Sequence, residues 1–508
     1  MMKSLPIVCI LLCTTLLQSL AFAEQGHKPS TCWQPDEPEQ GFLREIVETP
    51  AVESGFLPIH GSMEALEWRL ALIDAAQHNI DIQYFIWRLD DTGRLLIERL
   101  LQAADRGVQV RLLLDDVLKG GLDEKWILLN THPNMEVRLF NPFRTRTDNW
   151  LARAPEWFFN MSRLNHRMHN KLFMVDRETA IVGGRNIGNE YFGLGSVRDF
   201  RDFDLLISGG VVRQLEESFK TFWHSDWTYT PESLSKQRTE SGELDAFRSQ
   251  RREWLKRSDK LPAAIANFER DLSGKLATAH DKFIMAPARV VYDCPPGTAS
   301  AQPLQVVEAL RQLPGTTHNK VFIVSPYVIL NAASRDVVRT LRNKNVEITV
   351  LTNSMEAADH NITFAAYSKR RRQLLDMGVN IYELKAHGEQ WKEYRSPVSS
   401  GEYLSIHAKL MLFDEEKIMV GSPNLDPRSK YINTEIGLLI RSKALADLIM
   451  KQFKQDMAPQ NSWHVQLETT GRLYWESTSG QRHLQPARSL AQRVKVFLFR
   501  LLPLDHQL

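Results

Sequence analysis

Two stretches of the 508-residue chain repeat the same order of apolar and polar positions. Each begins with an apolar run typical of a buried strand, continues with apolar residues at helical spacing, and returns to a second apolar run. This order predicts a β-α-β unit in each stretch. The predicted strand, helix and strand span residues 79–87, 92–109 and 108–116 in the first stretch and 320–328, 333–345 and 346–354 in the second, with a further strand at 135–142 and at 379–386.

A closely similar segment follows each unit. "HNKLFMVDRETAIVGGRN" begins at His169 and "HAKLMLFDEEKIMVGSPN" begins at His407. Within them, "LFMV" and "LMLF" predict a buried strand, and "AIVGG" and "IMVGS" predict its neighbour across a short charged turn. The repetition predicts an internal duplication. The fold class is therefore α/β, with two similar layered domains side by side.

The composition, with 43% hydrophobic and 24% charged residues, is that of an ordinary globular protein. The charged, helix-prone sequence between the two copies predicts a connector with packing helices. We therefore divide the chain into a signal peptide at 1–23, an N-terminal domain at 24–210, a connector at 211–285, a C-terminal domain at 286–460 and a C-terminal extension at 461–508.

The N-terminus has the layout of a secretory signal peptide: Lys3, an apolar run from Leu5 to Leu17, and the small-residue site "AFA" before Glu24. Export is the expected fate, and a retained membrane anchor remains open because the run is only slightly shorter than a span. Cleavage would leave Cys32 and Cys294 in an oxidising compartment. They could form a disulfide or remain two free thiols.

Charge and ligand spacing argue against two classes of function. The formal charge is +2 at pH 7, and loss of Lys3 with the signal peptide would leave +1, which does not indicate a globally basic nucleic-acid binder. No His or Cys spacing is that of a zinc site. We predict neither a metal nor another cofactor.

Both segments match His-x-Lys-x(4)-Asp-x(6)-Gly-(Gly/Ser)-x-Asn and resemble the signature of the phospholipase D superfamily. The matching residues are His169, Lys171, Asp176, Gly183, Gly184 and Asn186 in the first copy and His407, Lys409, Asp414, Gly421, Ser422 and Asn424 in the second. Wider similarity after about residue 45, including "GSPNLDPRSKYINTEIGLLI", resembles the bacterial cardiolipin synthase C-type group. The sequence departs from the classical cardiolipin synthases at the N-terminus, where it lacks their paired transmembrane helices.

The duplication agrees with the chemistry of cleaving a phosphodiester without a metal. That reaction needs a nucleophile, an acid for the leaving alcohol, and fixed positive charge for the phosphate oxygens. One imidazole cannot attack phosphorus from one side and protonate the opposite oxygen, so two are needed. One ring must be neutral while the other is protonated, which predicts a bell-shaped rate profile.

The resemblance implies that each domain is a mixed sheet flanked by helices, that pseudo-two-fold symmetry relates the two domains, and that the active site lies at their interface. The resemblance also implies a role for each motif residue. It makes His169 the nucleophile that becomes phosphohistidine and His407 the acid. It counts the Lys and Asp residues of both motifs among the catalytic residues as well, with Asp176 and Asp414 more structural than chemically direct. Lys171, Lys409, Asn186 and Asn424 would hold the phosphate, supported by Gly184 and Ser422. Alignment of "FRDFDLLI" with "INTEIGLLI" places Asp202 opposite Glu435, each downstream of its own copy's histidine, where the family binds the imidazoles with acids.

The C-type resemblance implies transfer of a phosphatidyl group to phosphatidylglycerol, from a donor such as phosphatidylethanolamine. A phospholipase D that forms phosphatidic acid and an exported phosphodiesterase or nuclease remain alternatives. We expect phospholipid substrates rather than nucleic acid, and a periplasmic, peripherally membrane-associated protein. Residues 486–508 interleave basic and apolar positions, which predicts an interfacial helix, or a terminal helix that packs on the protein.

Overall fold

The computed structural model describes residues 52–117, 123–147, 149–235, 239–240, 242–257, 272–296, 305–389 and 391–502. The predicted signal peptide and Cys32 lie outside these residues. Cys294 is disulfide-bonded. Because its partner also lies outside the described residues, pairing with Cys32 stays a prediction.

The two copies share one continuous sheet of 18 strands, and a separate two-stranded sheet lies between them. The strands of the first copy are β1 (Glu53–Ile59), β2 (Asn79–Tyr84), β3 (Gln109–Asp115), β4 (Met135–Phe140), β5 (Lys171–Val175), β6 (Thr179–Gly183), β7 (Arg198–Arg201), β8 (Asp204–Gly209) and β9 (Thr228–Tyr229). Those of the second copy are β10 (Ile284–Tyr292), β11 (Lys320–Val324), β12 (Glu347–Asn353), β13 (Asn380–Leu384), β14 (Tyr403–Ile406), β15 (Leu410–Phe413), β16 (Lys417–Gly421), β17 (Ile436–Arg441), β18 (Ser462–Leu467), β19 (Leu473–Ser477) and β20 (Gly480–Arg482).

Counted outward from the centre of the sheet, the strand pairings run in the same order in both halves. The first half reads β9-β4-β3-β2-β5-β6-β8-β1, and the second continues β10-β17-β16-β15-β11-β12-β13-β18-β19-β20. In both, the β-α-β unit forms a parallel ladder and the motif strand pairs antiparallel beside it. The antiparallel pair β1–β10 joins the halves at their centre. The predicted α/β fold of two similar domains is confirmed.

Helices cover the faces of the sheet. They are α1 (Ser62–Ala75), α2 (Asp91–Asp105), α3 (Asp123–Asn130), α4 (Trp150–Phe159), α5 (Met161–Leu164), α6 (Val211–Trp223), α7 (Pro231–Leu234), α8 (Glu243–Arg257), α9 (Leu272–Ala277), α10 (Gln305–Gln312), α11 (Ala332–Asn343), α12 (Asn361–Asp376), α13 (Trp391–Tyr394), α14 (Pro427–Tyr431), α15 (Lys443–Asp456) and α16 (Leu490–Arg500). The helices of the two β-α-β units begin alike, because Asp90 accepts a hydrogen bond from Gly93 N and Asn331 accepts one from Ser334 N.

The largest shared core lies where the copies meet. It combines first-copy side chains such as Phe203 and Phe219 with second-copy side chains such as Phe322 and Phe453. Two further clusters fill the outer parts of the domains, one in the first domain and one in the second. Burial of one apolar surface by both copies holds the domains in a fixed relation.

The structure corrects three domain boundaries. Helix α6 belongs to the shared core rather than to the connector, and β9 pairs with β4 in the first domain's sheet. Strand β10 begins at Ile284, ahead of the predicted boundary. Strands β18 to β20 extend the second sheet beyond residue 460. The prediction of packing helices in the connector agrees with α8, whose Arg252 pairs with Glu98 of α2 at 3.1 Å.

Candidate active site at the interface of the two copies

The residue just before each motif histidine is held by a polar side chain at the end of a neighbouring strand. In the first copy, Asp115 accepts a hydrogen bond from Met168 N at 2.9 Å. In the second copy, Asn353 accepts one from Ile406 N at 2.7 Å and donates to its carbonyl oxygen at 2.9 Å. The predicted β-α-β strands therefore position the histidines through their last residues.

Each histidine is hydrogen-bonded to an acid from the other copy. His169 Nδ1 lies 2.8 Å from Glu435 Oε2, and His407 Nδ1 lies 2.6 Å from Asp202 Oδ2. All four side chains are buried. Because Nδ1 is occupied in both rings, Nε2 is the nitrogen left for chemistry.

The sequence predicted both acids as partners of the imidazoles, and the structure shows that each acid binds the histidine of the other copy. Strand β7 runs parallel to β14, so that Asp202 and His407, the residues that follow them, lie side by side. A parallel bridge between Met168 and Thr434 does the same for the other pair. Backbone pairing between domains therefore decides which acid orients which ring.

Ser422 and Gly184 lie behind the acids rather than at a phosphate site. Ser422 Oγ donates to Glu435 and accepts from Ile436 N at 2.9 Å. A Cβ at Gly184 would lie 2.2 Å from Asp202 Oδ1, so the glycine leaves room for that carboxylate. Both residues therefore support the acids, and not the phosphate as the sequence predicted.

The motif lysines are buried and flank the two rings. Lys171 Nζ donates to the carbonyl oxygen of His169 at 2.6 Å, and Lys409 Nζ lies 3.0 Å from His407 Nδ1. Burial lowers the pKa of Lys171, and the charge of Lys409 lowers it further. Burial also lowers the pKa of Lys409 to about 8, against the opposing effect of nearby carboxylates that include Asp426. Two cations this close favour an anionic ligand between them.

The two motif asparagines differ in their contacts. Asn186 Oδ1 accepts from Ile86 N at 3.2 Å, and its Nδ2 donates to Tyr191 Oη at 3.1 Å. Asn424 Oδ1 is buried without a hydrogen-bond partner among the described residues. Of the two amides, that of Asn424 has the more unused capacity to bind a ligand.

Burial lowers the pKa of His169 to about 4, with Lys171 acting in the same direction and Glu435 against it. Burial likewise lowers the pKa of His407 to about 4, and Lys409 adds to the effect. At pH 7 without a ligand both rings are therefore neutral. An anionic phosphate between the rings raises both values, because it favours the imidazolium form.

The motif aspartates are not part of this cluster, which corrects their inclusion among the catalytic residues. Asp176 accepts hydrogen bonds from Gln77, His78 and Asn79 N at 2.7–2.9 Å. Asp414 binds the amides at the start of β11 in the same way. Each lies seven residues beyond its histidine, across a strand of roughly 20 Å. Each also binds backbone amides of its own domain, so its structural role is within that domain.

Replacing Asp414 by Ala should lower stability without changing the active site. Burial opposes ionisation of Asp414, yet three backbone N–H donors outweigh it and lower its pKa. Losing these bonds should cost about 2 kcal/mol of unfolding free energy, measured by denaturant titration. The kcat/KM of the folded fraction should remain within about twofold. Asp414→Asn is the milder control, because asparagine tolerates the left-handed backbone found here (φ 52°). A kcat/KM loss without a stability loss would contradict this role.

Sequence reasoning missed the aromatic residues beside the two imidazoles. The Phe85 ring lies 5.0 Å from that of His169, and Tyr191 lies 5.1 Å from His407, both edge to face. Phe85 follows β2 directly, so its place at the end of a predicted strand was the available signal. These rings exclude water from the imidazoles and contribute to their low pKa values.

Comparisons with known proteins agree with this geometry. The family model "Cardiolipin synthase, PLD-like domain" matches residues 70–223 and 310–457. The chain is 35% identical over 471 residues to cardiolipin synthase C of Escherichia coli strain K12, covering 89% of this chain and 96% of the relative. Cardiolipin synthase A of Pseudomonas entomophila is 27% identical over 387 residues, covering 76% of this chain and 65% of the relative. A crystal structure of phosphatidylserine synthase from Haemophilus influenzae Rd KW20 shares the fold, with a TM-score of 0.57 at 15% identity, covering 84% of this chain and 92% of that one.

The duplicated fold and the paired motifs define an enzyme of the phospholipase D superfamily. Within it, the chain belongs to the family of cardiolipin synthases with phospholipase D-like domains, and the resemblance inferred from the sequence is confirmed. It is a phosphatidyltransferase of the cardiolipin synthase-like type that acts on phospholipids.

Proposed function

We propose that the protein forms cardiolipin by moving a phosphatidyl group to phosphatidylglycerol through a phosphohistidine. The observation that carries the proposal is the pair of buried histidines, each oriented through Nδ1 by a carboxylate of the other copy. The relatives named cardiolipin synthase support the product. The donor proposed is phosphatidylethanolamine.

In the first step, Nε2 of His169 attacks phosphorus and the bond from phosphorus to the donor's headgroup oxygen breaks. His407 protonates that oxygen, so the headgroup alcohol leaves neutral. Glu435 stabilises the positive charge that develops on His169. Lys171 and Lys409 stabilise the added negative charge on the phosphate oxygens.

In the second step, His407, now neutral, accepts the proton of the acceptor's hydroxyl group as that oxygen attacks the phosphohistidine. The bond from phosphorus to Nε2 breaks and frees His169. Transfer requires a lipid hydroxyl to reach the intermediate before water does. Entry of water instead would give phosphatidic acid.

The test is lipid mass spectrometry on purified protein in mixed micelles of phosphatidylglycerol and phosphatidylethanolamine, with chelator present. Cardiolipin should form with wild-type protein and not with His169→Ala or His407→Ala. Omitting each lipid in turn identifies the donor. Phosphatidic acid alone would identify a hydrolase, and no lipid turnover would overturn the proposal.

We propose further that α16 binds the protein to a membrane surface, as a peripheral protein in the periplasm. The helix packs on the protein with one face, where Gln492 donates to Met355 O at 2.6 Å and Val496 is buried. The opposite face is apolar and exposed, and consists of Leu490, Val494, Phe497, Leu498 and Leu501. The exposed Lys495 and Arg500 beside it suit anionic headgroups. Among the described helices, none is long and apolar enough to cross a bilayer.

Replacing Phe497 and Leu498 by Ser should weaken binding to phosphatidylglycerol vesicles at least about tenfold, because two large apolar side chains no longer leave water. Sedimentation with vesicles measures the effect. Leu448→Ser on α15, also an exposed leucine, is the control. Equal binding by both proteins would contradict the proposal.

A further inference from the structure

A cavity of 180 Å³ lies in the second domain between the sheet and helices α10 and α11. Its walls are mostly apolar and include Val337, Met411 and Phe413. One end reaches Asn424 and Asp426, in the loop that follows motif strand β16. The cavity therefore runs from the second motif into the domain.

The first copy fills the corresponding space with larger side chains. Trp87 and Val328 occupy equivalent positions, because each forms a parallel bridge to the residue that follows its motif asparagine, Ile187 or Leu425. Both residues are buried, and Val328 lines the cavity. The two copies descend from one pattern, so the smaller residue in the second copy is a specific difference between them.

The helices above these positions differ in the same sense. Six and seven residues after the matching N-caps, α2 carries Leu96 and Ile97, which are fully buried, while α11 carries Val337 and Val338, which are only half-buried. At three equivalent positions the second copy therefore has the smaller side chain. The open space follows from the sequence of this copy.

An apolar cavity of about 150 Å³ in a protein interior stays dry and binds small hydrocarbons. The occupant here should likewise be apolar, and it should extend to the second motif, because the last residue of that motif, Asn424, lines the cavity. Asp426 at the same end is within electrostatic reach of Lys409. An acyl chain joined to a phosphate group meets both requirements.

We propose that this cavity, the acyl pocket, binds one fatty acyl chain of the phospholipid whose phosphate lies between His169 and His407. The inference rests on the proposed function and adds a site for the lipid tail. Each methylene group that leaves water for the pocket should tighten binding about fourfold until the pocket is full. Affinity should therefore depend on chain length.

The direct test uses phosphatidylglycerol that carries a diazirine near the end of one acyl chain, in mixed micelles with full-length protein. After irradiation, mass spectrometry should locate the label on peptides that line the acyl pocket. Val328→Trp, which installs the residue of the first copy, should reduce this labelling at least about tenfold. Val338→Phe fills the pocket less drastically and serves as the second variant if Val328→Trp does not fold.

Leu448→Trp adds the same ring at an exposed position of α15 and should leave labelling unchanged. The second readout is kcat/KM for short-chain lipids of increasing chain length, dissolved below their critical micelle concentration so that each methylene group leaves water. Its rise with chain length should be lost in Val328→Trp. An unlabelled pocket in wild-type protein, whether empty or filled by the chain's own residues, overturns the inference. So does labelling that both pocket variants leave unchanged.

Labelling requires no turnover, so His169→Ala should label like wild-type protein. Labelling of the pocket without cardiolipin formation would count against the proposed function alone. Cardiolipin formation without labelling of the pocket would count against the acyl pocket alone.

Discussion

His169→Ala should abolish release of p-nitrophenol from a phosphatidyl-p-nitrophenol substrate, whereas His407→Ala should release one equivalent and then stop. The acidic phenol leaves without a proton from His407, so the first step needs only the nucleophile. The second step still needs His407 as base. Steady turnover should fall by a factor on the order of 10⁴ in either variant.

Rapid-mixing absorbance measures the burst, and mass spectrometry of the intact protein should find a phosphatidyl adduct on His407→Ala. Neither variant should unfold, because each change leaves the apolar side chains of the three core clusters in place; thermal melting is the control. A burst and an adduct in His169→Ala would exchange the roles of the two histidines.

Asp202→Asn should retain the burst with this substrate, and Glu435→Gln should remove it. Glu435 orients the nucleophile His169, while Asp202 orients His407, which the first step does not need here. An amide in place of the carboxylate stabilises the wrong tautomer, and in the comparable pair of serine proteases that change costs about 10⁴ in kcat. Steady turnover should therefore fall by a factor on the order of 10²–10⁴ in both variants.

Stopped-flow absorbance of both variants decides between two assignments. If each acid oriented the histidine of its own copy, Asp202→Asn would lose the burst and Glu435→Gln would keep it. That result would contradict the exchange of partners. The conservative variant Glu435→Asp keeps the negative charge, so it should retain part of the burst that Glu435→Gln loses.

Local patterns predicted much of the fold. The β-α-β units begin and end within a few residues of their predicted bounds, since strand and helix periodicity depend on neighbouring residues. The motif spacing likewise predicted His169 and His407 as partners. It failed for Asp176 and Asp414, because a motif records which residues recur together and not which of them share a site.

The sequence by itself determined the duplication, the elements of each copy and the residue types available to the chemistry, because those follow from periodicity and spacing along the chain. Only the tertiary structure decided which acid orients which imidazole, because strands β7 and β14 pair between domains and bring together residues more than 200 positions apart. The same holds for the acyl pocket. A valine at the position where the other copy has a tryptophan leaves open space only when the helices are packed on the sheet.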